Sequence, residues 1–283
     1  MVTLRNSSAE IYVPDGFAVE DGLARTTHLA ISAHQDDIEI MAVDGVLQCF
    51  QRPDRWFTGV VVTNGSGSPR AGLYADYTDE EMCAIRIVEQ TKAAIVGDYG
   101  AQVLLDHPSS AVKDSSNPAV VGDLKQIIEA TRPEVIYTHN LADKHPTHIA
   151  VVLRVIEALR ALPANRHPRK LYGCEVWRDL GWMLDEEKVV FDCSTQENLQ
   201  EALLGVFDSQ ISGGKRYDLA TMGRRRANAT YFESHGVDSA TGLAFGMDLT
   251  PLLAKPTLDI STYTRQFIDR FSQDVHRLIT QMA

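Results

Sequence analysis

Two short stretches of this sequence each bring histidine and carboxylate side chains to one place. The first is Ala33-His34-Gln35-Asp36-Asp37, which follows an apolar run at residues 29–32. The second is Asp143-Lys144-His145-Pro146-Thr147-His148, which comes shortly after another apolar run at residues 135–137. Imidazole nitrogens and carboxylate oxygens are common ligands of a catalytic zinc ion. Two strand ends that carry such groups could supply one mononuclear metal site for a hydrolase.

The chemistry of zinc hydrolases assigns these residues separate roles. A catalytic zinc ion usually keeps three protein ligands and an open position for water, and His34, Asp37 and His148 supply two imidazoles and a carboxylate. Asp36 is then free to act as general base toward that water, whose pKa zinc lowers to about 7. His145 could stabilise the developing oxyanion or protonate the leaving group. Such a set suits hydrolysis of an acyl bond.

Each of these groups also has an ordinary structural interpretation. Two aspartates after a strand are a common helix N-cap, and a histidine in a first helical turn can be a packed core residue. Asp143 and His139 are competing ligands, because Asp-x-His-x-x-His could itself bind a metal ion. Asp143 could equally lie beside the ligands, face the substrate or belong to a surface loop. The presence of both clusters at strand ends favours the metal site.

The segments around the two clusters alternate strand-like and helix-like patterns, which is typical of βαβ units and a parallel sheet. Thr78 and Glu81 form a predicted capping box, and Asn117-Pro118 opens a further helix. Helices are predicted over 79–96, from 118 onward, near 215–234 and near 259–281. Strands are predicted at 29–33, 57–63, 102–105, 134–138, 172–177 and 188–192. We expect an α/β fold with a Rossmann-like, open, mostly parallel sheet, helices on both faces and an irregular C-terminal third.

Such a sheet binds its ligands beyond the carboxyl ends of the strands, where the strand order reverses. Both clusters occupy strand ends, and each also opens a predicted helix. Pro146 suits a first helical position, which puts His145 at the N-cap and His148 in the first turn on the same face. The positive end of the helix dipole disfavours imidazolium there and keeps a ligand histidine neutral.

Composition limits the partners and the setting of the protein. The 283 residues are 44% hydrophobic, so we expect one catalytic domain over 1–283, with a metal-site core at about 28–160 and a less regular portion at about 193–283. The net charge of -11 argues against a nucleic-acid or anionic-membrane partner. No apolar stretch reaches the roughly 20 residues that span a bilayer, and no signal-peptide apolar region is present. Four scattered cysteines fit reduced thiols, so we expect a cytoplasmic protein.

The two motifs resemble those of a known enzyme family. The first is similar to the Ala-His-Pro-Asp-Asp signature of the PIG-L/LmbE-like zinc-dependent de-N-acetylases, which act on N-acetylglucosamine-type groups. His145-Pro146-Thr147-His148 is similar to the later His-Pro-Asp-His motif of the family. The resemblance covers about residues 28–160, and the two histidine motifs together make it specific.

The resemblance implies the same division of roles that the chemistry suggests. It makes zinc ligands of His34, Asp37 and His148, a general base of Asp36, and an oxyanion stabiliser or general acid of His145. The end of the second strand (Asn64) and an Arg-x-x-Glu element (Arg86) resemble family positions near the substrate. With Asp143, this gives three candidate substrate-binding residues.

Two departures from the family motifs bear on the chemistry. Gln35 replaces a proline, which removes no ligand. Thr147 replaces an aspartate that in the family is thought to hold and bias the neighbouring histidine, so the protonated form of His145 gains less stabilisation here. We hypothesise that Asp143 supplies the missing carboxylate from the other side of His145.

These observations together predict a zinc-dependent hydrolase that removes an acetyl group from an N-acetylated amino sugar or its glycoside. Zn²⁺ is the expected cofactor, although Fe²⁺ would fit the same ligands. The expected partner is a small-molecule amino sugar, and assembly into a homo-oligomer stays open. Two alternatives are a metal-dependent amidase or phosphoesterase with a non-sugar substrate, and a non-catalytic sugar-binding protein that retains the metal.

Overall fold

The computed structural model describes residues 2–283 and contains an eight-stranded mixed sheet. In chain order the strands are β1 Glu10–Tyr12, β2 His28–Ser32, β3 Phe57–Thr63, β4 Ala101–His107, β5 Val135–His139, β6 Lys170–Cys174, β7 Val189–Asp192 and β8 Leu243–Asp248. Their order across the sheet is β1-β4-β3-β2-β5-β6-β8-β7. The five central strands, which lie in the order β4-β3-β2-β5-β6, are parallel to one another. β1, β7 and β8 make antiparallel pairs. The prediction of an open, mostly parallel sheet is confirmed.

Helices cover both faces of this sheet. Within residues 2–283 they are α1 Val19–Ala24, α2 Asp37–Met41, α3 Val43–Cys49, α4 Asp79–Val96, α5 Ser109–Lys113, α6 Pro118–Thr131, α7 Pro146–Arg160, α8 Glu197–Gly205, α9 Asp208–Ile211, α10 Tyr217–Tyr231, α11 Pro251–Ala254 and α12 Ile260–Met282. Successive strand residues face opposite layers. Ile31 packs in the same buried cluster as α6 and α7, whereas Ala30 packs in the cluster that contains α2, α3 and α4. Helices on both faces are therefore confirmed.

The sixth strand ends earlier than its apolar pattern predicts. The pattern extends over 172–177, but β6 ends at Cys174. The chain turns away there because the buried Glu175 side chain accepts the backbone N–H groups of Leu180, at 2.7 Å, and Phe245, at 3.0 Å. The residues after Cys174 therefore leave the sheet at its carboxyl edge.

Two strands at the sides of the sheet carry no clear pattern in the sequence. β1 is three residues long and has no fully buried residue, and the apolar run of β8 is interrupted by Gly246. A side chain at Gly246 would contact the ring of Phe191 on β7 at 2.8 Å, so packing requires a glycine there. With β8 and five helices, α8 to α12, the C-terminal third is more regular than the sequence suggests.

No helix within residues 2–283 is both long and apolar enough to cross a bilayer. All four cysteines are free, and Cys49, Cys174 and Cys193 are buried in the packed core.

The strand order reverses between β2 and β5. The chain proceeds from β2 outward through β3 to β4, and then returns to place β5 on the other side of β2. The carboxyl ends of these two strands meet at one edge, which is where open α/β sheets bind ligands. Helix α2 begins directly after β2 at Asp37, and α7 begins at Pro146 with His145 at its N-cap, as predicted.

Candidate metal centre and its cavity

A tight turn between β2 and α2 holds the first cluster. Asp36 occupies the N-cap of α2 with a backbone φ of 91°, a conformation that residues other than glycine seldom adopt. The Asp37 side chain closes the turn, because its Oδ2 accepts the backbone N–H of His34 at 2.7 Å. Strained backbone of this kind persists only where surrounding contacts hold it, and it is frequent at functional sites.

Three donor atoms from the two strand ends lie at nearly equal distances from one another. His34 Nδ1 is 3.2 Å from Asp37 Oδ2 and 3.2 Å from His148 Nε2, and the last two atoms are 3.3 Å apart. A tetrahedral zinc ion with ligand bonds of about 2.0–2.1 Å needs ligand atoms about 3.3–3.4 Å apart. These three atoms could therefore hold one small divalent ion and leave a fourth position open.

His139, the competing histidine, lies beside Asp37 and His148, but its Nε2 already accepts a hydrogen bond. Its ring stacks on His148 with the centroids 3.9 Å apart, and with Asp37 the two rings form a second possible metal-binding group. However, the backbone N–H of Ala33 donates to His139 Nε2 at 2.8 Å. That hydrogen bond uses the lone pair that a metal ion would need. A role in packing against His148 suits His139 better than ligation.

The ring of His145, at the N-cap of α7, lies beside the rings of His34 and His148. Its ring is edge-on to that of His34, with centroids 5.0 Å apart, and it is 4.6 Å from the ring of His148. The three histidines together form another group of possible ligand atoms, all within 4.8 Å of one another. His145 Nδ1 is buried without a hydrogen-bond partner among residues 2–283. The ring is therefore placed to interact with whatever occupies the open position.

The Asp143 side chain contacts three other residues around the donor atoms. Its Oδ1 accepts the backbone N–H of His145 at 2.9 Å, and its Oδ2 accepts the backbone N–H of Trp177 at 3.1 Å. The same Oδ2 is 3.5 Å from His148 Nδ1. A carboxylate on that side favours the tautomer that leaves His148 Nε2 free for a metal ion.

This placement corrects one hypothesis about Asp143. The hypothesis that it pairs with the His145 ring is wrong, because it contacts the backbone of His145 and leaves the ring without a hydrogen bond. That Asp143 binds substrate stays a prediction; its side chain is fully buried and is not among the lining residues of the cavity described below.

The charges of the cluster centre on Asp37. Burial opposes its negative charge, but His148, His34 and His139 hold the pKa of this carboxyl well below its usual range. Burial alone would lower the pKa of His148, yet the facing carboxylates, Asp37 and Asp143, raise it to about 9. The cluster thus contains a buried ion pair in which a metal cation could replace the proton of His148.

The pKa values of Asp36 and His145 are shifted in opposite directions. Burial raises the pKa of Asp36 to about 8, with Arg86 opposing and Asp37 adding to the shift. Burial and the neighbouring His148 lower the pKa of His145 to about 4. A divalent cation beside Asp36 would favour its ionised form, whereas His145 is neutral near pH 7.

Arg86, from α4, lies almost fully buried beside Asp36. Its Nη2 donates to the backbone carbonyl of Gln35 and lies 3.7 Å from Asp36 Oδ1. Its Nε donates to the side-chain oxygen of Gln35 at 3.3 Å. Arg86 Nη1 has no partner in the described chain. Gln35 thus holds Arg86 in place with a contact that a proline could not make.

A cavity of about 340 Å³ opens over the donor atoms, a size suited to a small-molecule ligand. We call its lining residues from the two motifs the floor: His34, Asp36, Asp37, His145 and Thr147. We call its other lining residues the wall: Ile40, Gly65, Gly67, Ser68, Pro69, Arg86, Ser109, Lys113, Val176, Trp177, Gln210, Lys215 and Tyr217.

Of the three candidate substrate-binding residues, Arg86 alone lines this cavity. Asn64 does not, because its side-chain oxygen accepts the backbone N–H of Ser66 at 3.2 Å and so shapes the loop that follows β3. That loop, rather than Asn64 itself, reaches the cavity through Gly65 to Pro69.

Several wall residues carry no signal in the local sequence. Trp177 follows β6, and its ring is covered by Lys215 Nζ at 4.7 Å and contacted edge-on by Tyr217 at 5.9 Å. Ligands bind beyond strand ends in such a sheet. A sequence-based prediction that ended β6 at Cys174 would therefore have identified Trp177 as a candidate site residue. Lys215 and Tyr217 reach the site from the start of α10, more than 60 residues after His148.

Residues 29–159 match the family model described as PIG-L, GlcNAc-PI de-N-acetylase. No curated protein matches the chain in sequence.

Solved structures share the fold at low sequence identity. A 4-carboxy-2-hydroxymuconate hydratase from Pseudomonas putida aligns with a TM-score of 0.60 and 14% identity, over 79% of this chain and 96% of that chain. A conserved protein from Thermus thermophilus aligns with a TM-score of 0.60 and 17% identity, over 83% and 99%. An N,N'-diacetylchitobiose deacetylase from Pyrococcus horikoshii aligns with a TM-score of 0.58 and 17% identity, over 78% and 83%.

Proposed function

Residues 29–159 of this chain belong to the PIG-L family, and on that premise we propose that the protein is a metal-dependent deacetylase of N-acetylated amino sugars or their glycosides. The observation that carries the proposal is the near-equal spacing of the donor atoms of His34, Asp37 and His148, with Asp36 beside them in the cavity. The de-N-acetylase description of the family model and the activity of the chitobiose deacetylase support the same reaction.

We propose zinc as the ion, because two imidazoles and a carboxylate with an open fourth position are the usual donor set of catalytic zinc. Fe²⁺ would accept the same donors. When bound, such an ion polarises the acetamide carbonyl and makes a water molecule acidic enough to lose its proton near neutral pH. Asp143 orients His148 for this role from the opposite side of the ring.

Asp36 acts in this proposal as the group that moves protons. Its carboxylate lines the cavity next to the ligands and can accept a proton from the attacking water. Burial favours the protonated form that results, so Asp36 can then pass the proton to the departing amine. Arg86, 3.7 Å away, opposes this tendency, and a bound divalent cation would further favour the ionised form with which the cycle starts.

His145 acts as a hydrogen-bond donor rather than as an acid. Burial and His148 lower its pKa to about 4, so the ring is neutral at physiological pH. A neutral imidazole N–H can still stabilise the negative charge that develops on the acetamide oxygen. Thr147 in place of an aspartate agrees with this role, since it adds no charge that would favour the imidazolium.

One structural neighbour supports a second candidate reaction. The enzyme from Pseudomonas putida is a hydratase, and a base beside an activated water molecule could also add water to an unsaturated acid. The buried base and the metal set serve both reactions, so the substrate must distinguish them.

The proposal is tested by product analysis with zinc-loaded protein. N-acetylglucosamine, its methyl glycoside and N,N'-diacetylchitobiose are assayed for acetate, p-nitrophenyl phosphate for phosphate, and 4-carboxy-2-hydroxymuconate for hydration. We expect acetate from at least one sugar and no turnover of the other two substrates. Turnover of the muconate or the phosphate ester without acetate release from any sugar would overturn the proposal.

A further inference from the structure

The last helix, α12, is attached to the rest of the protein through its first half. We call residues 2–259 the body. Tyr263 and Phe267 are buried in the core that the body forms. One turn later, the ring of Phe271 still lies edge-on to that of Trp182 in the body, with the centroids 6.5 Å apart. The first three turns of the helix are therefore fixed in place by apolar packing.

The second half of α12 projects into solvent. Among the described residues, side-chain hydrogen bonds and ion pairs beyond Phe271 join only residues of the helix itself. Residues 272–283 are exposed, except for the half-buried Asp274. A helical segment of this length is marginally stable alone in water, so a packing partner would stabilise it.

This projecting half carries a stripe of exposed apolar side chains. We call the following residues the stripe: Ile268, Phe271, Val275, Leu278, Ile279 and Met282. Five of them follow one another at alternating spacings of three and four, which is the repeat of about 3.5 residues found at the seam of a coiled coil. Phe267 and Phe271 are four apart and so share a face. The stripe thus continues a core face of the helix beyond the body that covers it.

The charges between the stripe residues are balanced in sign. Two acidic and two basic side chains lie within residues 268–282: Asp269, Arg270, Asp274 and Arg277. Helices that lie on lipid surfaces carry an excess of Lys and Arg on the polar face, and the net charge of -11 repels anionic lipids. The composition of this segment therefore favours a protein partner over a membrane.

A second copy of the chain supplies a helix with the matching pattern. Within residues 2–283, no helix other than α12 exposes more than two large apolar side chains, so the seam finds its counterpart in another α12. Each copy exposes roughly 600 Å² on the stripe, and burying most of it in both copies would reach the roughly 1,000 Å² that a specific interface needs.

The attachment of α12 to the body favours an antiparallel pair. The body covers the apolar face as far as Phe271, so only the later part of that face is free. Antiparallel packing lets the two free halves overlap with the bodies at opposite ends, whereas a parallel pair would bring both bodies to the same end. Asp274, next to Val275, pairs with Arg277 at 2.6 Å in its own helix and so brings no unpaired charge to the seam.

We infer that the protein forms a two-fold symmetric dimer in which residues 268–282 of two copies pack as a short antiparallel coiled coil through the stripe. Such a contact uses the same surface on both copies and closes on itself. The inference is independent of the proposed function, because α12 contributes no residue to the cavity.

Sedimentation equilibrium of the full chain over a range of protein concentrations tests the dimer. We expect the wild type to reach twice the chain mass, and Val275→Glu/Leu278→Glu to raise the dissociation constant of the dimer at least about 100-fold, because unpaired carboxylates would be buried in the seam. Gln273→Glu/Thr280→Glu adds the same charge to the opposite, exposed face of the helix and should change this constant less than about threefold. Circular dichroism verifies that both variants are folded.

A monomeric wild type at every concentration, or an assembly that Val275→Glu/Leu278→Glu leaves intact, would overturn the inference. Vesicles of phosphatidylcholine and phosphatidylglycerol test the other occupant. Sedimentation of a monomeric wild type with these vesicles would assign the stripe to a lipid surface and would likewise overturn the dimer.

Disulfide cross-linking tests the antiparallel order. Phe271→Cys and Met282→Cys proteins are prepared, each with Cys83→Ser, which removes the cysteine that is not buried. Under mild oxidation an equimolar mixture should give a mixed covalent dimer, because residue 271 lies next to residue 282 of the second copy. Either protein alone should give little, since equal residues would lie roughly 16 Å apart along the helices. Efficient cross-linking of each protein alone would contradict the antiparallel pair.

Discussion

The floor and the wall of the cavity are built in opposite ways. The floor comes from two short segments, each placed by the end of a central strand and the start of a helix. The wall comes from several segments that lie far apart in the chain, and its two lysines are exposed. The local backbone therefore positions the groups for the reaction, whereas the contacts that select a substrate depend on tertiary packing. Changes in the floor should therefore affect metal binding and turnover, and changes in the wall should affect KM.

The largest effect is expected from removing a floor ligand. His34→Ala should reduce tightly bound zinc from one equivalent to a small fraction and lower acetate release by more than about 10³-fold, because two donors cannot hold the ion firmly. Metal analysis after dialysis and an acetate assay measure both. His235→Ala, which removes an exposed histidine, is the matched control and should change neither. A full equivalent of zinc in His34→Ala would contradict the ligand set.

A change in the proton-moving residue should separate turnover from metal binding. Asp36→Asn should keep a full equivalent of zinc and lower kcat by about 10²- to 10⁴-fold, the range for loss of a general base. Glu39→Gln is the matched control, since Glu39 is a buried carboxyl on the same short helix, lies outside the cavity and has a pKa raised by burial to about 7. Loss of zinc from Asp36→Asn, or unchanged kcat, would refute the assigned role.

A smaller effect, on zinc affinity, is expected from a change at Asp143. Asp143→Asn should weaken zinc affinity about 10- to 100-fold, because His148 loses the carboxylate that orients its ring. Competition with a chromophoric chelator measures the affinity. Asp123→Asn is the control: Asp123 is buried and hydrogen-bonded to His107 at 3.0 Å, outside the cavity. The same zinc affinity in Asp143→Asn and wild type would show that Asp143 only holds the backbone.

The smallest effect is expected at the wall. Trp177→Leu should raise KM for the sugar about three- to tenfold and leave kcat within about twofold, because the aromatic surface at the cavity is lost but the floor is intact. Trp56→Leu is the control, since Trp56 also lies under a cation, Arg25 at 3.7 Å, but precedes β3 at the opposite edge of the sheet. A large fall in kcat with unchanged KM in Trp177→Leu would contradict the separate roles of wall and floor.

The parts of the molecule that local patterns control could be predicted from the sequence. The central strands β3 and β5 contain short continuous apolar runs, and Pro146 correctly predicts a helix start with His145 at its N-cap. Residues His34, Asp37 and His148 could be grouped because strand ends converge in a parallel sheet, even without knowledge of the strand order. The direction of the Asp143 side chain could not be predicted, because it depends on the position of Trp177, 34 residues later. β8 could not be predicted either, since its glycine is explained only by the Phe191 ring against it.

We propose that His34 Nδ1, Asp37 Oδ2 and His148 Nε2 bind one ion at the floor of the cavity. Anomalous diffraction at the zinc absorption edge, with crystals of the zinc-loaded protein, tests it most directly. We expect one strong peak about 2.0–2.1 Å from each of these three atoms. A peak that replaces His34 with His139 among its ligands, or no peak at the floor, would contradict it.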